Sequence, residues 1–296
     1  LRPEPDWGMS MKTIEITGTP SMAATFFRAL GTGAKRPGLV MTLPKVEMAI
    51  PSVTLDAQHI ARYASLCGFS ASQGVPLIYP QMLTFPLVTA YICSDECPWP
   101  AMGTVHLANS IEQYKSLRAG DAVRVEMGTG HLFAHEKGQG FTLDLRILRD
   151  GELVWSATQS LLRVGVKPTS GTPYRSQIAS DAALSCQTEF TASADIGRRY
   201  GAVSGDRNPI HMAALTAKLF GFQRAIAHGM WTKARALSYL LPAQPLERAS
   251  TSVEFKTPLL LPGRAALWTE RTPKGALFEV RDKKGARPHL RGQLSY

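Results

Sequence analysis

A short polar segment in the second half of the chain carries the residues best suited to acid–base chemistry. Asp206 and His211 lie five residues apart, with Pro209 between them. Because proline fixes its own backbone angle and biases the preceding residue away from helix, the segment is predicted to form a rigid turn. Such a turn could bring a carboxylate and an imidazole to one point, where they can share the protons of one water molecule. Asn208 is predicted to hold the turn through hydrogen bonds to the loop backbone.

A second chemical feature follows at His228 and Gly229, where an apolar helix is predicted to begin. The first N–H groups of a helix have no partner within it, and the local field there is positive. Glycine lets a substrate carbonyl approach such an N–H closely. An acid–base pair beside this donor suits chemistry next to a thioester carbonyl, because the N–H would stabilise an enolate-like oxygen.

The bulk composition describes a chain that can bury real hydrophobic cores. Its 296 residues are enough for two domains of about 150 residues each, or for one large domain. The hydrophobic fraction is 44%, and no apolar run reaches the roughly 18 residues that a membrane crossing needs. The first residues contain acidic side chains and proline in place of an apolar stretch, so we expect no secretory signal, no membrane partner and a cytoplasmic protein.

The net charge and the cysteines limit which partners can be expected. The formal charge of +10 is spread along the chain without a basic block, so nucleic-acid binding is not predicted. A basic surface could hold a phosphorylated carrier such as coenzyme A, or could simply be solvated. Cys93 and Cys97 could form a metal pair, but no second pair with zinc spacing follows them. We therefore expect no metal, and four reduced thiols, including Cys67 and Cys186.

The first half reads as helices followed by antiparallel strands. A helix is predicted over 54–67 with Thr54 as its N-cap, and a second over 81–92 that Pro86 should kink or restart. Alternating apolar residues predict strands over 122–127, 141–148 and 152–162, the last two joined by a hairpin at Asp150-Gly151.

The second half repeats that order. A helix is predicted to start at Thr191 or Ser193 and to run to Tyr200, and another to cover 229–241. Strands are predicted over 251–255, 276–281 and 290–296. A segment rich in proline, serine, threonine and glycine, 167–176, is the predicted linker between an N-terminal copy, 1–166, and a C-terminal copy, 177–296.

Residue matches support two copies of one fold. Tyr63 to Gly68 matches Tyr200 to Gly205 at its ends, and Ile78 to Thr84 matches Ile226 to Thr232. This alignment places Asp206 opposite Phe69 and His228 opposite Pro80. We therefore predict one active site, in the second copy. The first copy would supply sheet, contact surface and room for an apolar substrate.

The sequence SGDRNPIH, followed by Gly221-Phe222 and then IAHGM, resembles the signature of the MaoC-like (R)-specific enoyl-CoA hydratases. The resemblance is specific over 200–232 and extends weakly into 255–258, whereas the first half resembles the degenerate copy of two-copy members by its arrangement. It implies an α+β double hot-dog fold, in which each copy is an antiparallel sheet wrapped around a central helix.

The resemblance also implies roles for single residues. Asp206 and His211 would be the catalytic pair that activates one water and adds it reversibly across an enoyl double bond, giving an (R)-3-hydroxyacyl thioester. Asn208 would orient the loop, and the N–H of Gly229 would hold the thioester oxygen. The side chain of His228 would be structural. No cofactor is implied, because coenzyme A enters as part of the substrate.

Several points stay open at this stage. Arg224, Lys233, Arg235 and Lys256 could meet coenzyme A phosphates or could be solvated surface charges. Trp231 could narrow an acyl tunnel or be ordinary core. Alternative functions are a dehydratase that acts on acyl-carrier-protein thioesters and a non-catalytic acyl-thioester-binding protein. Both a monomer and a homodimer are compatible with the sequence.

Overall fold

The computed structural model describes residues 14–16, 28–29, 31–35, 39–167, 169–176, 178 and 183–296. The strands of the described chain are β1 (Ile14–Glu15), β2 (Glu47–Thr54), β3 (Thr104–Gln113), β4 (Ala122–His135), β5 (Gly138–Arg149), β6 (Glu152–Val164), β7 (Thr172–Pro173), β8 (Ser185–Ala192), β9 (Ala249–Phe255), β10 (Gly263–Thr272), β11 (Gly275–Asp282) and β12 (Pro288–Ser295). The helices are α1 (Ala57–Cys67), α2 (Pro80–Ile92), α3 (Ile196–Ser204), α4 (Pro209–Met212), α5 (Ala214–Lys218) and α6 (Gly229–Leu240).

One continuous sheet joins the two halves of the chain. Its order is β1-β2-β4-β5-β6-β3-β9-β12-β11-β10-β8, and every pairing from β2 to β8 is antiparallel. The order from β2 to β3 is the mirror image of the order from β9 to β8. The halves meet where β3 pairs with β9, and there Ser110 lies opposite Ser252, whose hydroxyl groups are 2.9 Å apart.

The sheet wraps around two long helices, one in each half. Helix α2 packs against β2, β4 and β5, and α6 packs against β11 and β12. Their burial patterns coincide when Pro80 is placed opposite Gly229, the first residue of each helix. The buried positions Thr84, Leu87, Val88 and Tyr91 of α2 then match Lys233, Ala236, Leu237 and Leu240 of α6. The architecture is the expected α+β one, and the predicted alignment of His228 with Pro80 is wrong by one residue, because Tyr79 is the match.

Several predicted elements are confirmed. Both central helices lie where predicted. Helix α2 is one helix through Pro86, so the prediction that this proline could restart it is wrong. The six predicted strands are present, mostly with longer bounds, and the hairpin residues Asp150 and Gly151 have φ angles of 54° and 79°.

Two predicted helix starts are wrong. Thr54 is the last residue of β2, and the N-cap of α1 is Asp56, whose carboxylate accepts a hydrogen bond of 2.6 Å from the His59 N–H. Thr191 lies in β8, which pairs with β10, and Ser193 also precedes the start of α3 at Ile196. In each case a strand runs up to within a few residues of the helix, so the polar residue nearest the apolar pattern is not the cap.

The predicted linker, 167–176, contains β7, which pairs in parallel with Phe133 and Ala134 of β4. The division of the chain at this segment stays a prediction. Within the described residues, no helix combines the length and apolarity that a membrane crossing requires. The four cysteines are free thiols, of which Cys67 and Cys97 are buried.

Candidate active site

The polar loop starts where α3 ends. Gly205 caps α3 in the left-handed conformation, with φ 80°, and turns the chain into Asp206. The Ser204 hydroxyl accepts from the Asp206 N–H at 3.2 Å, and the Asp206 carboxylate accepts from the Asn208 N–H at 3.1 Å. The Asn208 side chain then caps α4 by accepting from the Ile210 N–H at 3.3 Å. Side chains of the loop therefore fix its own backbone, as expected for Asn208.

Two glycines make room for this loop on α3. A Cβ atom at Gly197 would lie 2.0 Å from the His211 carbonyl oxygen, and one at Gly201 would lie 2.7 Å from the Asp206 carbonyl oxygen. Real Cβ atoms do not approach oxygen this closely, so any other residue would push the loop away. The bare face of α3 is what lets Asp206 and His211 lie against the helix.

The loop is also tied to the segment that leads into α6. The Ile226 N–H donates to the Ile210 carbonyl at 3.1 Å, and His211 Nδ1 lies 2.8 Å from the Ile226 carbonyl oxygen. Because a carbonyl can only accept, Nδ1 carries the proton. The Nε2 atom of His211 therefore keeps its lone pair, which is the form that can take a proton from water.

His228 connects the two catalytic candidates. Its ring stacks on the His211 ring with centroids 3.7 Å apart, and its Nε2–H donates to the Asp206 carbonyl oxygen at 2.9 Å. The same nitrogen lies 3.8 Å from the Asp206 carboxylate. One nitrogen or carboxylate oxygen from each of Asp206, His211 and His228 falls within 4.8 Å of the others. The structure thus brings Asp206 and His211 together, and gives the His228 side chain a place in the site.

Burial keeps both imidazoles neutral. It lowers the pKa of His211 below its usual value, against the opposing effects of the Asp206 charge and the bond to Ile226. Burial, together with the neighbouring His211, lowers the pKa of His228 to about 3. The Asp206 side chain is 32% exposed, so water can reach the carboxylate. A solvated carboxylate therefore faces a neutral imidazole.

Gly229 begins α6 beside this pair. The N–H of the first helical residue has no partner within the helix. A Cβ atom at Gly229 would lie 2.7 Å from the ring of Phe255, which extends from the end of β9. The glycine therefore allows Phe255 to pack directly over the start of α6.

Comparisons with known proteins identify the family of the chain. Residues 177–290 match the family described as MaoC like domain. The 3-hydroxyacyl-thioester dehydratase X of Mycobacterium tuberculosis is 33% identical over 253 residues, which cover 84% of this chain and 88% of that protein. The chain belongs to the MaoC-like dehydratase family. The predicted family and the predicted hydro-lyase class are confirmed.

Solved structures of MaoC-like proteins have the same fold. The crystal structure of HtdX from Mycobacterium tuberculosis superposes with a TM-score of 0.72 at 30% identity, over 84% of this chain and 98% of that one. A MaoC-like dehydratase from Phytophthora capsici gives a TM-score of 0.73 at 17% identity, over 87% of this chain and 96% of that one. These likenesses confirm the predicted α+β double hot-dog class.

Two of the basic residues that could meet coenzyme A phosphates have other partners in this MaoC-like chain. Lys233 is fully buried, and its Nζ donates to the Asn109 side-chain oxygen at 2.7 Å and to the Asn109 carbonyl at 3.2 Å. Arg235 donates to the Cys67 carbonyl at 3.4 Å and lies over the ring of Tyr239 at 4.4 Å. Both side chains therefore hold α6 against the first half, and the buried Lys233 fits neither a phosphate contact nor a solvated surface charge.

The other predicted binding residues have different surroundings. Arg224 is exposed and donates to the Pro262 carbonyl at 3.3 Å. Lys256 pairs with Glu254 at 2.6 Å, and its side chain is still 33% exposed. Trp231 is 3% exposed and meets the ring of Phe190 edge-on at 6.1 Å, which gives it the surroundings of a core residue.

The first half also reaches the site, through two histidines that no sequence motif predicts. The His106 ring on β3 lies 4.9 Å from the ring of Phe255. His59 of α1 contacts the carbonyl of Val203, at a separation of 144 residues in the chain. Neither histidine belongs to a local motif, so no sequence signal marked it.

The cluster of Asp206, His211 and His228 is also the group that could hold a metal ion within the described residues. One ring nitrogen of each histidine already donates to a carbonyl, at Ile226 and at Asp206. The acid–base chemistry proposed below uses the free His211 nitrogen and the Asp206 carboxylate as they stand.

Proposed function

We propose that the chain catalyses the reversible hydration of trans-2-enoyl-CoA to (R)-3-hydroxyacyl-CoA, with Asp206 and His211 activating one water. The proposal depends above all on the approach of the carboxylate and the neutral imidazole to within 4.8 Å, beside the first amide of α6. That spacing suits one water that is hydrogen-bonded to both groups. The family supports the reaction class, and the M. tuberculosis relative is named as a 3-hydroxyacyl-thioester dehydratase.

The reaction follows from which groups hold protons. Bound water gives a proton to one member of the Asp206–His211 pair as its hydroxyl adds to C3 of the enoyl group. The electrons of the double bond move toward the thioester oxygen, where the Gly229 N–H stabilises the developing charge. The proton then passes from the pair to C2, which completes the addition of one water. Dehydration is the reverse sequence and returns the water.

Other residues have proposed binding roles. Asn208 holds the loop, Arg224 and Lys256 are the proposed contacts for coenzyme A phosphates, and Trp231 is the proposed wall of the acyl site. We infer that the substrate is the only source of coenzyme A and that no separate cofactor takes part. The four free cysteines favour a reducing, cytoplasmic setting. A homodimer of the whole chain remains an untested prediction.

The test is hydration of crotonyl-CoA and longer trans-2-enoyl-CoA substrates, followed by the loss of absorbance of the conjugated thioester. We expect Asp206→Asn to lower kcat by roughly 10²–10⁴-fold, the usual range for removal of an acid–base group. The fold should persist, because the side chain is 32% exposed and lies outside the core.

Asp195→Asn is the matched control, because Asp195 stands at the other end of α3 and should leave kcat unchanged. Full activity in Asp206→Asn would refute the role of that residue. If the wild-type protein hydrates no enoyl thioester, the remaining alternative is a non-catalytic thioester-binding protein. Equal concentrations of acyl-CoA and acyl-carrier-protein substrates separate the hydratase from the carrier-protein dehydratase.

A further inference from the structure

A side chain of the first half holds the end of the helix that leads into the catalytic loop. His59 Nε2 on α1 lies 2.8 Å from the Val203 carbonyl oxygen in the last turn of α3. The last carbonyls of a helix have no partner within it, so an outside donor is needed to satisfy them. Val203 precedes the left-handed Gly205 by two residues and Asp206 by three. His59 is therefore bonded to the backbone immediately before the carboxylate.

A second hydrogen bond fixes the orientation of this histidine. In the neutral ring that donates to the carbonyl from Nε2, Nδ1 accepts, and the Tyr79 hydroxyl donates to it at 2.8 Å. Tyr79 is 1% exposed and directly precedes α2. Burial raises the pKa of Tyr79 to about 12, so its hydroxyl keeps its proton at neutral pH. The start of α2 is thus linked through Tyr79 and His59 to the end of α3.

We propose that His59 is a positioning residue for Asp206, an inference that rests on the proposed function of that carboxylate. The Asp206 backbone is held from two sides: His228 donates to its carbonyl oxygen at 2.9 Å, and His59 holds the preceding helical turn. Release of the Val203 carbonyl would let this turn move and would carry Asp206 away from His211. The first half would then contribute to catalysis without touching the substrate.

The competing explanation is that His59 only stabilises the contact between the halves. Gln113 of β3 offers a matched contact for this comparison. Its side chain donates to the Leu246 carbonyl at 2.6 Å, so it too joins the first half to a main-chain oxygen of the second. No proposed site residue lies next to Leu246 in the chain. Loss of this bond should affect stability without affecting the geometry of the site.

The experiment compares four full-length variants with the wild type: His59→Ala, His59→Gln, Tyr79→Phe and Gln113→Ala. We expect His59→Ala to lower kcat for enoyl-CoA hydration about tenfold, with KM changed by less than about twofold, because misplacement acts on the reacting geometry. His59→Gln should recover kcat to within about threefold of wild type, since its amide can donate from a similar position. Tyr79→Phe should cost about threefold, and Gln113→Ala should leave kcat unchanged while it lowers Tm.

Equal changes in kcat for His59→Ala and Gln113→Ala would overturn the proposal. So would an unchanged kcat in His59→Ala. If His59→Ala does not fold, Tyr79→Phe still decides. The proposal is wrong if Tyr79→Phe keeps the full wild-type kcat.

Amide hydrogen exchange separates this inference from the proposed reaction. His59→Ala should accelerate exchange over 203–208, and Gln113→Ala should not. Unchanged exchange there would refute the positioning role even if the enzyme is active. If the wild type hydrates no enoyl thioester, the proposed function fails, while the exchange measurement still shows whether His59 holds the loop.

Discussion

The two halves of the molecule share one order of elements but differ in the segment between the first helix and the central helix. That segment spans 68–79 in the first half and 205–228 in the second, so the second is twice as long. Both begin with a left-handed glycine at the helix end. In the first half the next residue is Phe69, which is 6% exposed, and in the second it is Asp206. The same turn therefore delivers a core side chain in one half and a carboxylate in the other.

The helix that precedes this segment also differs between the halves. When Tyr63 is aligned with Tyr200, the bare positions Gly197 and Gly201 fall opposite Ile60 and Ala64. On α3 a Cβ atom at either position would meet the backbone of the 206–211 loop, whereas α1 carries side chains at both positions. The first half therefore lacks both the Asp206–His211 pair and the bare helix surface on which such a loop could lie.

The start of the central helix completes the contrast. Pro80 begins α2 at the position where Gly229 begins α6. Proline has no backbone N–H, so the first half cannot offer an amide to a thioester oxygen at this position. The substitution Gly229→Pro would thus remove this backbone N–H from the second half as well.

Among the tests that compare the two halves, we expect the largest effect from Gly229→Pro set against Gly229→Ala. Both variants place a Cβ atom within 2.7 Å of the Phe255 ring, so both require that ring to shift. The first position of a helix tolerates proline well, so the fold should survive. Gly229→Pro should have a kcat roughly 10²–10³-fold below that of Gly229→Ala, the usual cost of one lost oxyanion donor. Equal kcat values in the two variants would show that the amide does not bind the oxygen.

A smaller effect is expected from pH, and it should originate in the second half. In the proposed reaction the neutral form of His211 is the reactive one, and burial lowers the pKa of this side chain. Activity should therefore persist as pH falls through 6.5 and should decrease only below it, by about tenfold per pH unit once His211 takes up its proton. A fall in kcat with its midpoint at or above the ordinary histidine value would contradict this.

Stability should respond to the same titrations. Because burial lowers the pKa of His211 and of His228 in the folded state, the unfolded chain binds more protons as pH falls below about 6.5. Stability should therefore decrease from that pH downward. Hydrogen exchange at pH 5.5 should lose protection in 205–228 before 68–79, where Tyr79 replaces the histidine. Loss of protection in 68–79 before 205–228 would show that His211 and His228 are not the groups whose protonation destabilises the fold.

The smallest expected effect concerns Lys233, whose counterpart in α2 is Thr84. Burial lowers the pKa of Lys233 well below its ordinary value. The unfolded chain binds the extra proton up to about pH 10.4, so wild-type stability should rise with pH relative to Lys233→Met. The Tm of the variant minus that of the wild type should fall by about 2–4 °C between pH 7 and 9.5. Lys218→Met, at an exposed lysine, is the control and should show a constant difference.

The features that could be predicted from the sequence are those that short-range chemistry determines. The Asp206–His211 turn follows from Pro209 and Asn208, and the central helices follow from their apolar content and from the residues that end them. The two wrong helix caps also show the limit of local reasoning. Thr54 and Thr191 are polar residues near a helix start, but both lie in strands. Thr54 pairs with β4, and Thr191 pairs with β10.

The features that could not be predicted depend on contacts between distant parts of the chain. Strands β2, β3 and β8 are not among the predicted strands, and β3 is defined by its pairing with β6 and β9. Lys233 resembles a surface lysine in sequence, and only the approach of Asn109, 124 residues away, gives its buried amine a partner. The contact between His59 and Val203 is of the same kind.

The pairing of β3 with β9, where Ser110 faces Ser252, makes each half the permanent neighbour of the other. Partners in one polypeptide have a fixed effective concentration, so dilution does not separate them. A contact such as that of His59 with Val203 is consequently present in every molecule at any protein concentration. Covalent linkage of this kind lets the two halves follow separate evolutionary courses, because each always meets the same, non-identical neighbour.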